Sequence, residues 1–339
     1  SKICMGINWG KVLEDKGIPY ENVTVTQKDI DKYGRFCPIS KVTNETQKVQ
    51  HKYCIIFLKK YFKKFQRADG DIYIAVREWI KNEELAKEEF GDIKDWDTSE
   101  VTRMSDLFEY KINFNADLSK WDVSNVTTMN GMFYEAKSFK ADLSKWNVSN
   151  VKDMSAMFCK AELFTSDLSN WDTGNVSGMG GMFEDAKSFT SDLSKWNVSN
   201  VKEMDTMFSG AELFTSDLSK WNVSNVEGMD KMFKDAKLFT SDLSNWDTGN
   251  VTRMNFMFSG AKLFTSDLSK WNVSRVPKIG NTAFPYNPDM VVPPYFARYR
   301  YPKALLNWAK KENAYLNDYP YSSSDDESDD ESDDEIDKF

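Results

Sequence analysis

Trp96, Trp121, Trp146, Trp171, Trp196, Trp221, Trp246 and Trp271 follow one another at intervals of 25 residues, with no insertion between any two. The words around them repeat as well. DLSKWNVSNV begins at Asp142, Asp192 and Asp217, and near-copies begin at Asp117, Asp167, Asp242 and Asp267. A fixed period of this length means one small supersecondary unit used many times, and such a unit cannot bury its own large side chains without a neighbour. The chain of 339 residues therefore reads as an array with flanks, not as two average globular domains.

Counted from Val126, one unit has apolar residues at Met129, Met132, Phe133, Ala136, Phe139, Leu143, Trp146 and Val148. The steps of three, four and three from Val126 to Ala136 predict one face of a helix, with Ser124 as its N-cap. Gly180, Gly181 and Gly210 fall in this stretch of other units and make the helical arm short or partly 3-10. Leu143 to Val148, rich in β-formers, is the predicted strand. Stacking at strand spacing, about 4.8 Å, puts identical side chains in columns. Trp121, Trp146, Trp171, Trp196, Trp221, Trp246 and Trp271 are then the structural core.

The polar columns admit more than one reading. Asp117, Asp142, Asp167, Asp192, Asp217, Asp242 and Asp267 would repel one another unless each accepts hydrogen bonds or a cation lies between them. Nothing here resembles the glycine-rich nonapeptide of calcium-binding β-helices, so turn capping by accepted backbone N–H groups is preferred to a calcium ladder. Asn125, Asn150, Asn175, Asn200, Asn225 and Asn250 are expected to form an amide ladder tying successive turns.

The unit WxVSNVxxMxxMFxxAxxFxxDLSxW resembles the 25-residue BspA-like repeat, the DUF285 repeat, a divergent relative of leucine-rich repeats. The leader is similar too, in Ala75-Val76-Arg77-Glu78-Trp79, Ala86, Phe90-Gly91-Asp92-Ile93 and Trp96-Asp97-Thr98-Ser99. The resemblance covers roughly residues 72 to 279. It implies an α/β repeat solenoid, a leucine-rich-repeat-like stack of short parallel strands with short helical or 3-10 arms. Such repeats occur in mycoplasmal surface lipoproteins, protist proteins and large DNA viruses of protists, with surface exposure or protein binding inferred.

The expected organisation is a small α-rich N-terminal module over 1–71, a helical leader over 72–95, the array over 96–280, a Pro/Tyr-rich cap over 281–321 and a disordered acidic tail over 322–339. The formal charge of -9 resides in that tail: without Ser322 to Phe339 the chain has 43 basic and 43 acidic side chains. Lys48 to Arg67 carries seven Lys/Arg and no acid, with Tyr53, Phe57, Tyr61 and Phe65 at steps of four. It reads as a basic amphipathic helix that either packs its aromatic face on the N-terminal module or offers Lys59, Lys60, Lys63, Lys64 and Arg67 to an acidic partner. His51 is expected at the surface. Ser324, Ser328 and Ser332 each precede Asp-Asp-Glu and are candidate phosphorylation sites; the tail is either solubilising or docks on a basic surface.

Cys4, Cys37, Cys54 and Cys159 have no CxxC spacing, and Cys159 occupies a position that also takes Tyr134, Glu184, Ser209, Lys234 and Ser259, so it is expected to be exposed. With one histidine, no HExxH and no phosphate-binding GxxxxGK, the chain is read as non-enzymatic, with no cofactor and no metal. The expected function is a repeat scaffold for protein–protein interaction, the alternative being a structural component of a large assembly such as a virion. Protein partners are expected, with self-association through acidic tail and basic helix; a small-molecule substrate, nucleic acid and a membrane are not. The sequence shows no apolar h-region at its start and no apolar run of the roughly 18 to 20 residues a membrane helix needs, and the expected location is intracellular (cytoplasmic) or in a virion.

Overall fold

The computed structural model describes residues 8–20, 23–27, 29–30, 45–63 and 66–276. Two compact units divide the chain, Ser1–Pro293 and Pro294–Phe339, and every described residue belongs to the first. The cap over 281–321, the acidic tail and Lys64 lie outside the described residues. The described part holds few helices and one small parallel sheet that does not close on itself.

Helix α1, Trp9–Asp15, starts where the Asn8 side chain accepts from the Lys11 N–H. It packs on α2, Glu45–Lys63, through Trp9, Val12, Cys54 and Phe57, with the Trp9 and Phe57 rings 5.3 Å apart. The predicted basic helix therefore ends before Arg67. Arg67 lies in strand β1, Gln66–Ala68, which pairs in parallel with β2, Asp97–Glu100.

Between these strands run α3, Ile72–Lys81, and α4, Glu83–Phe90. Ile72, Ala75, Val76 and Trp79 are buried, the i, i+3, i+4, i+7 stripe of an amphipathic helix. Asn82 caps α4 by accepting from the Leu85 N–H, and Gly91 ends it at φ 79.

From Val101 onward the described residues contain no helix, which corrects the predicted helical arm. Its N–H groups alternate between two kinds of acceptor. Met129, Gly131, Phe133 and Glu135 donate to carbonyls of the next unit, at Asp153, Ser155, Met157 and Cys159, while Met132, Tyr134 and Ala136 donate three residues back within their own turns. A helix would close these bonds inside one unit and leave no backbone to join it to the next. The apolar spacing that reads as a helix is kept: Met129, Met132, Phe133 and Ala136 all point inward and are fully buried.

Two residues per unit adopt positive φ to make this path. The first position is taken by Asp106, Gly131, Ala156, Gly181, Thr206, Lys231 and Phe256, the second by Tyr110, Glu135, Lys160, Asp185, Gly210, Asp235 and Gly260. The glycines that weaken a helix thus suit four of these left-handed positions.

The cross-unit pairing also lies on the other side of the unit from the predicted strand. Isolated parallel bridges link Arg103, Thr128, Asp153, Gly178, Glu203, Gly228 and Arg253, each to the residue 25 further on. Leu143 to Val148 is not a strand; it is held by side chains. Trp171 Nε1 donates to the Leu143 carbonyl at 3.1 Å, and the same bond joins Trp146 to Leu118, Trp196 to Leu168 and Trp271 to Leu243. Leu143 N–H in turn donates to Ser166 Oγ at 2.8 Å. Each unit is therefore joined to its neighbours by backbone along one side and by side chains along the other.

The core between these two sides is aromatic. Phe133, Phe158, Phe183 and Phe208 stack with centroids 5.6, 5.7 and 5.8 Å apart. Phe139, Phe164 and Phe189 form a second column at 6.0 Å. These distances exceed the strand spacing of about 4.8 Å because the rings are offset rather than face to face, the arrangement their quadrupoles favour. The core tryptophans Trp121 to Trp271 are 3–4 % exposed.

Candidate interaction surface

Of the residues singled out for interaction, Arg67 is placed where it cannot serve. It is 3 % exposed, and its guanidinium lies over the rings of Phe90 and Trp96, 5.2 and 5.0 Å from their centroids. It also pairs with Asp71 and donates to the Phe90 carbonyl at 3.3 Å. Burial lowers its pKa, against the pull of Asp71. Arg67 is the lid of the first tryptophan. The run of cations that suggests one solvated helix face misled here because the chain changes from helix to strand within it. Lys59, Lys60 and Lys63 fall in α2, in a stretch whose side chains lie outside the described residues, as do Ser324, Ser328 and Ser332.

Two further leader residues finish the edge that Arg67 covers, and sequence reasoning missed both. In later units an N–H such as Thr127 or Lys152 donates to the preceding unit's carbonyl, Thr102 or Thr127. The first unit has no predecessor, and Asp69 substitutes: its carboxylate accepts from the N–H groups of Thr102 and Arg103 at 2.7 and 3.1 Å. These bonds lower its pKa although partial burial opposes them. Tyr73 Oη donates to the Ser105 carbonyl at 3.0 Å, an acceptor that later units offer to a backbone N–H.

The aspartate column is used by the turns. Asp117, Asp142, Asp167, Asp192, Asp217, Asp242 and Asp267 each accept the N–H of the serine two residues on, at 2.9 Å. These bonds with the serine hold every one of the carboxyls below its ordinary value. A serine of the next unit bridges the column: Ser216 Oγ donates to Asp192 at 3.1 Å while accepting the Leu193 N–H at 2.8 Å. In the asparagine column each amide donates to a backbone carbonyl of the preceding unit, Asn175 to Ser149 and Asn225 to Ser199, both at 2.7 Å, rather than to another amide.

Cys159 is 3 % exposed, which corrects the expected surface position. Its side chain is covered between layers and meets Glu184 at 4.0 Å, and burial with that carboxylate pushes the thiol up to about 12. The permissive sequence at this position reflects a turn that accepts side chains of either kind, Tyr134 being half-buried and Ser209 buried. His51 is half-buried on α2, and burial lowers its pKa.

The two residues that follow the first methionine of each unit vary from Asn130-Gly131 to Asn255-Phe256 and are drawn into the ladder. Gly131 and Gly181 are buried, and only Lys231 and Phe256 among the pairs are exposed. Residue type also varies along the bridge column, at Arg103, Thr128, Asp153, Gly178, Glu203, Gly228 and Arg253, where the same bridge recurs in each unit; Arg103 and Arg253 are exposed, Gly228 is buried and the others are half-buried. Its most developed feature spans three units. Arg253 reaches back over Gly228 to Glu203 and Asp205, its Nη2 lying 2.9 Å from the Asp205 carboxylate. A Cβ at Gly228 would collide with all three of those side chains. Burial and Asp205 raise the Glu203 carboxyl, with Arg253 opposing.

The family described as "Mycoplasma protein of unknown function, DUF285" matches residues 80–195 and 179–285, more than half of the chain. No curated protein and no solved structure matches. No helix among the described residues is long and apolar enough to cross a membrane. The matched residues run from the end of α3 through every bridged unit, each with its buried tryptophan, its bridge and its left-handed turns, and the chain belongs to the DUF285 family.

Proposed function

We propose that the chain is a non-catalytic scaffold, in which the 25-residue units stack as a leucine-rich-repeat-like solenoid and the bridge column is offered to a protein partner. One observation carries this reading. Inward positions repeat almost letter for letter, whereas the bridge column changes in size and charge from unit to unit along a backbone that bridges in the same way each time. A strip of fixed path and varied side chains is what a solenoid uses to read another protein. The Arg253, Glu203 and Asp205 group supplies paired charges there, each pair worth about 0–1 kcal/mol to stability because it is exposed. These groups are therefore free to be selected for recognition.

The test is capture from the native source with the intact chain and with Glu203→Lys and Arg253→Glu variants whose melting is unchanged. A partner held by the intact chain and lost by both variants supports the reading. Retention of the same partner by both variants removes the bridge column from the interface.

A further inference from the structure

The unit that begins at Val176 puts glycine at three positions where its neighbours carry side chains. Gly178 stands on the bridge column between Asp153 and Glu203, Gly180 between Ser155 and Asp205, and Gly181 between Ala156 and Thr206. The result is a trough one unit wide across the bridge face. Gly178 and Gly180 are half-buried and form its floor, and Gly181 is buried at its far end. A carboxylate stands at each end. A Cβ on Gly178 would lie 2.8 Å from Asp153 Oδ1 and 2.9 Å from Ser155 Oγ, and one on Gly181 would lie 3.5 Å from Glu184 Oε2. Asp153 accepts the Ser155 N–H and Glu184 the Thr206 hydroxyl, and neither forms an ion pair among the described residues. A backbone donor opens on the trough as well. In the next two units the N–H after the first methionine is taken by a carboxylate of the unit before, Asp205 Oδ1 on Asp230 and Asp230 Oδ1 on Asn255, both at 2.6 Å. Asp205 itself has only Gly180 before it, and its N–H has no acceptor among the described residues.

Two units on, the same layout recurs with its occupant in place. Gly228 stands on the bridge column between Glu203 and Arg253, and the Arg253 guanidinium lies over it, 2.9 Å from Asp205 and paired with Glu203. Gly228 is buried, whereas Gly178, which has Glu203 where Gly228 has Arg253, is half-buried. The geometry points to an arginine of the protein partner as what fills the trough, with its guanidinium over Gly178 against Asp153 and a backbone carbonyl of its segment on the Asp205 N–H. Charge selects a cation. Glu203 and Asp205 are already met by Arg253, which leaves Asp153 and Glu184 to be neutralised; Lys152 and Lys202, one residue before the bridge column, are exposed beyond the Asp153 end. Arginine is selected over lysine because its planar fork lies flat on a glycine backbone while donating to a carboxylate at the edge, as Arg253 does. This site rests on the scaffold reading and deepens it, since it states what the partner brings to the bridge column.

The experiment is nuclear magnetic resonance of the full chain, isotopically labelled at its glycine amides and titrated with the peptide acetyl-Gly-Arg-Gly amide at millimolar concentrations. A second peptide carries citrulline in place of arginine, which keeps the shape and removes the charge. The Gly178 and Gly180 signals should move with the arginine peptide and stay with the citrulline one, while those of Gly70 and Gly228 stay throughout. Asp153→Asn should weaken the binding about 10-fold or more. Gly178→Thr, which places there the residue that Thr128 supplies on the same column, should abolish it without changing the melting curve. Equal response to the two peptides, an unchanged affinity in the Asp153→Asn chain, or shifts of all exposed glycines alike overturns the proposal. A partner captured from the native source by the Gly178→Thr chain but lost by the Glu203→Lys and Arg253→Glu chains would end the trough and leave the scaffold standing.

Discussion

The indole nitrogen of Trp196 donates to the carbonyl of Leu168, 28 residues earlier, at 2.9 Å. The ring that fills one unit therefore also satisfies a backbone acceptor of the unit before it. Trp196→Ala should cost about 3 to 5 kcal/mol for the cavity alone. Trp196→Phe keeps much of the volume and leaves a buried carbonyl unpaired, for about 1 to 3 kcal/mol. Trp271 is as buried as Trp196 and makes the same bond to Leu243, so its loss should cost nearly as much, not markedly less as a terminal position would suggest. Denaturant melts of the three variants decide this.

Ala156 has φ 54 in a stretch whose apolar spacing imitates a helix. In a helix Ala156→Gly would destabilise by roughly 1 kcal/mol; in the left-handed turn it should stabilise by up to about 1 kcal/mol. The sign of the shift in melting midpoint separates the two structures.

The aspartate column predicts an acid limit. Each carboxyl is lowered below its ordinary value of 3.8 by its serine bonds, so the stabilisation is complete above that value and fades as pH falls through the still lower folded value. Melting should be level from neutral pH down to about pH 5 and decline below pH 4. Asp192→Asn with Asp217→Asn keeps the accepting oxygens, removes the titration and should flatten that decline. Chelator and millimolar calcium should leave the midpoint at neutral pH unchanged; a rise of many degrees with calcium would make the column a set of ligands.

Cys159 should resist alkylation in the native protein at pH 8, since its thiol is covered and raised to about 12. It should react at an ordinary rate in denaturant. Peptide mapping after timed labelling follows it separately from the other cysteines.

Arg67→Met should remove the cation over Trp96 and Phe90, worth about 0.5 to 2 kcal/mol, and release Asp71. Amide exchange should quicken first between Asp97 and Tyr110, with later units protected. Uniform quickening along the array would show that Arg67 is not a local lid.

The period, the buried set and the turn role of the aspartates were legible because they depend on spacing that every unit repeats. Secondary structure was not. A step of three, four and three marks which residues face inward, and both a helix and a run of alternating turns satisfy it. The choice lay with N–H groups, whose partners sit 24 residues ahead and leave no trace in local composition. Glycine at Gly131, Gly181, Gly210 and Gly260 was the available signal, and it is the same letter that a weak helix would show. Arg67 and Asp69 were illegible for another reason: each acts once, at the edge, so no repetition announces it.

The bonds between units also set how the array can change length. Bridges join residues 25 apart, ladder N–H groups reach 24 ahead and indoles reach 28 back, so each unit is tied only to those on either side, apart from the longer reach of Arg253. Removal of one whole period from the interior joins two units whose donors and acceptors already match. Removal of one residue more or fewer puts a buried ring where a solvated side chain belongs. Genetic change in this gene should therefore be quantised: copies of the unit are gained or lost entire, while the edge residues Arg67 and Asp69 stay in place, whatever number of units follows them.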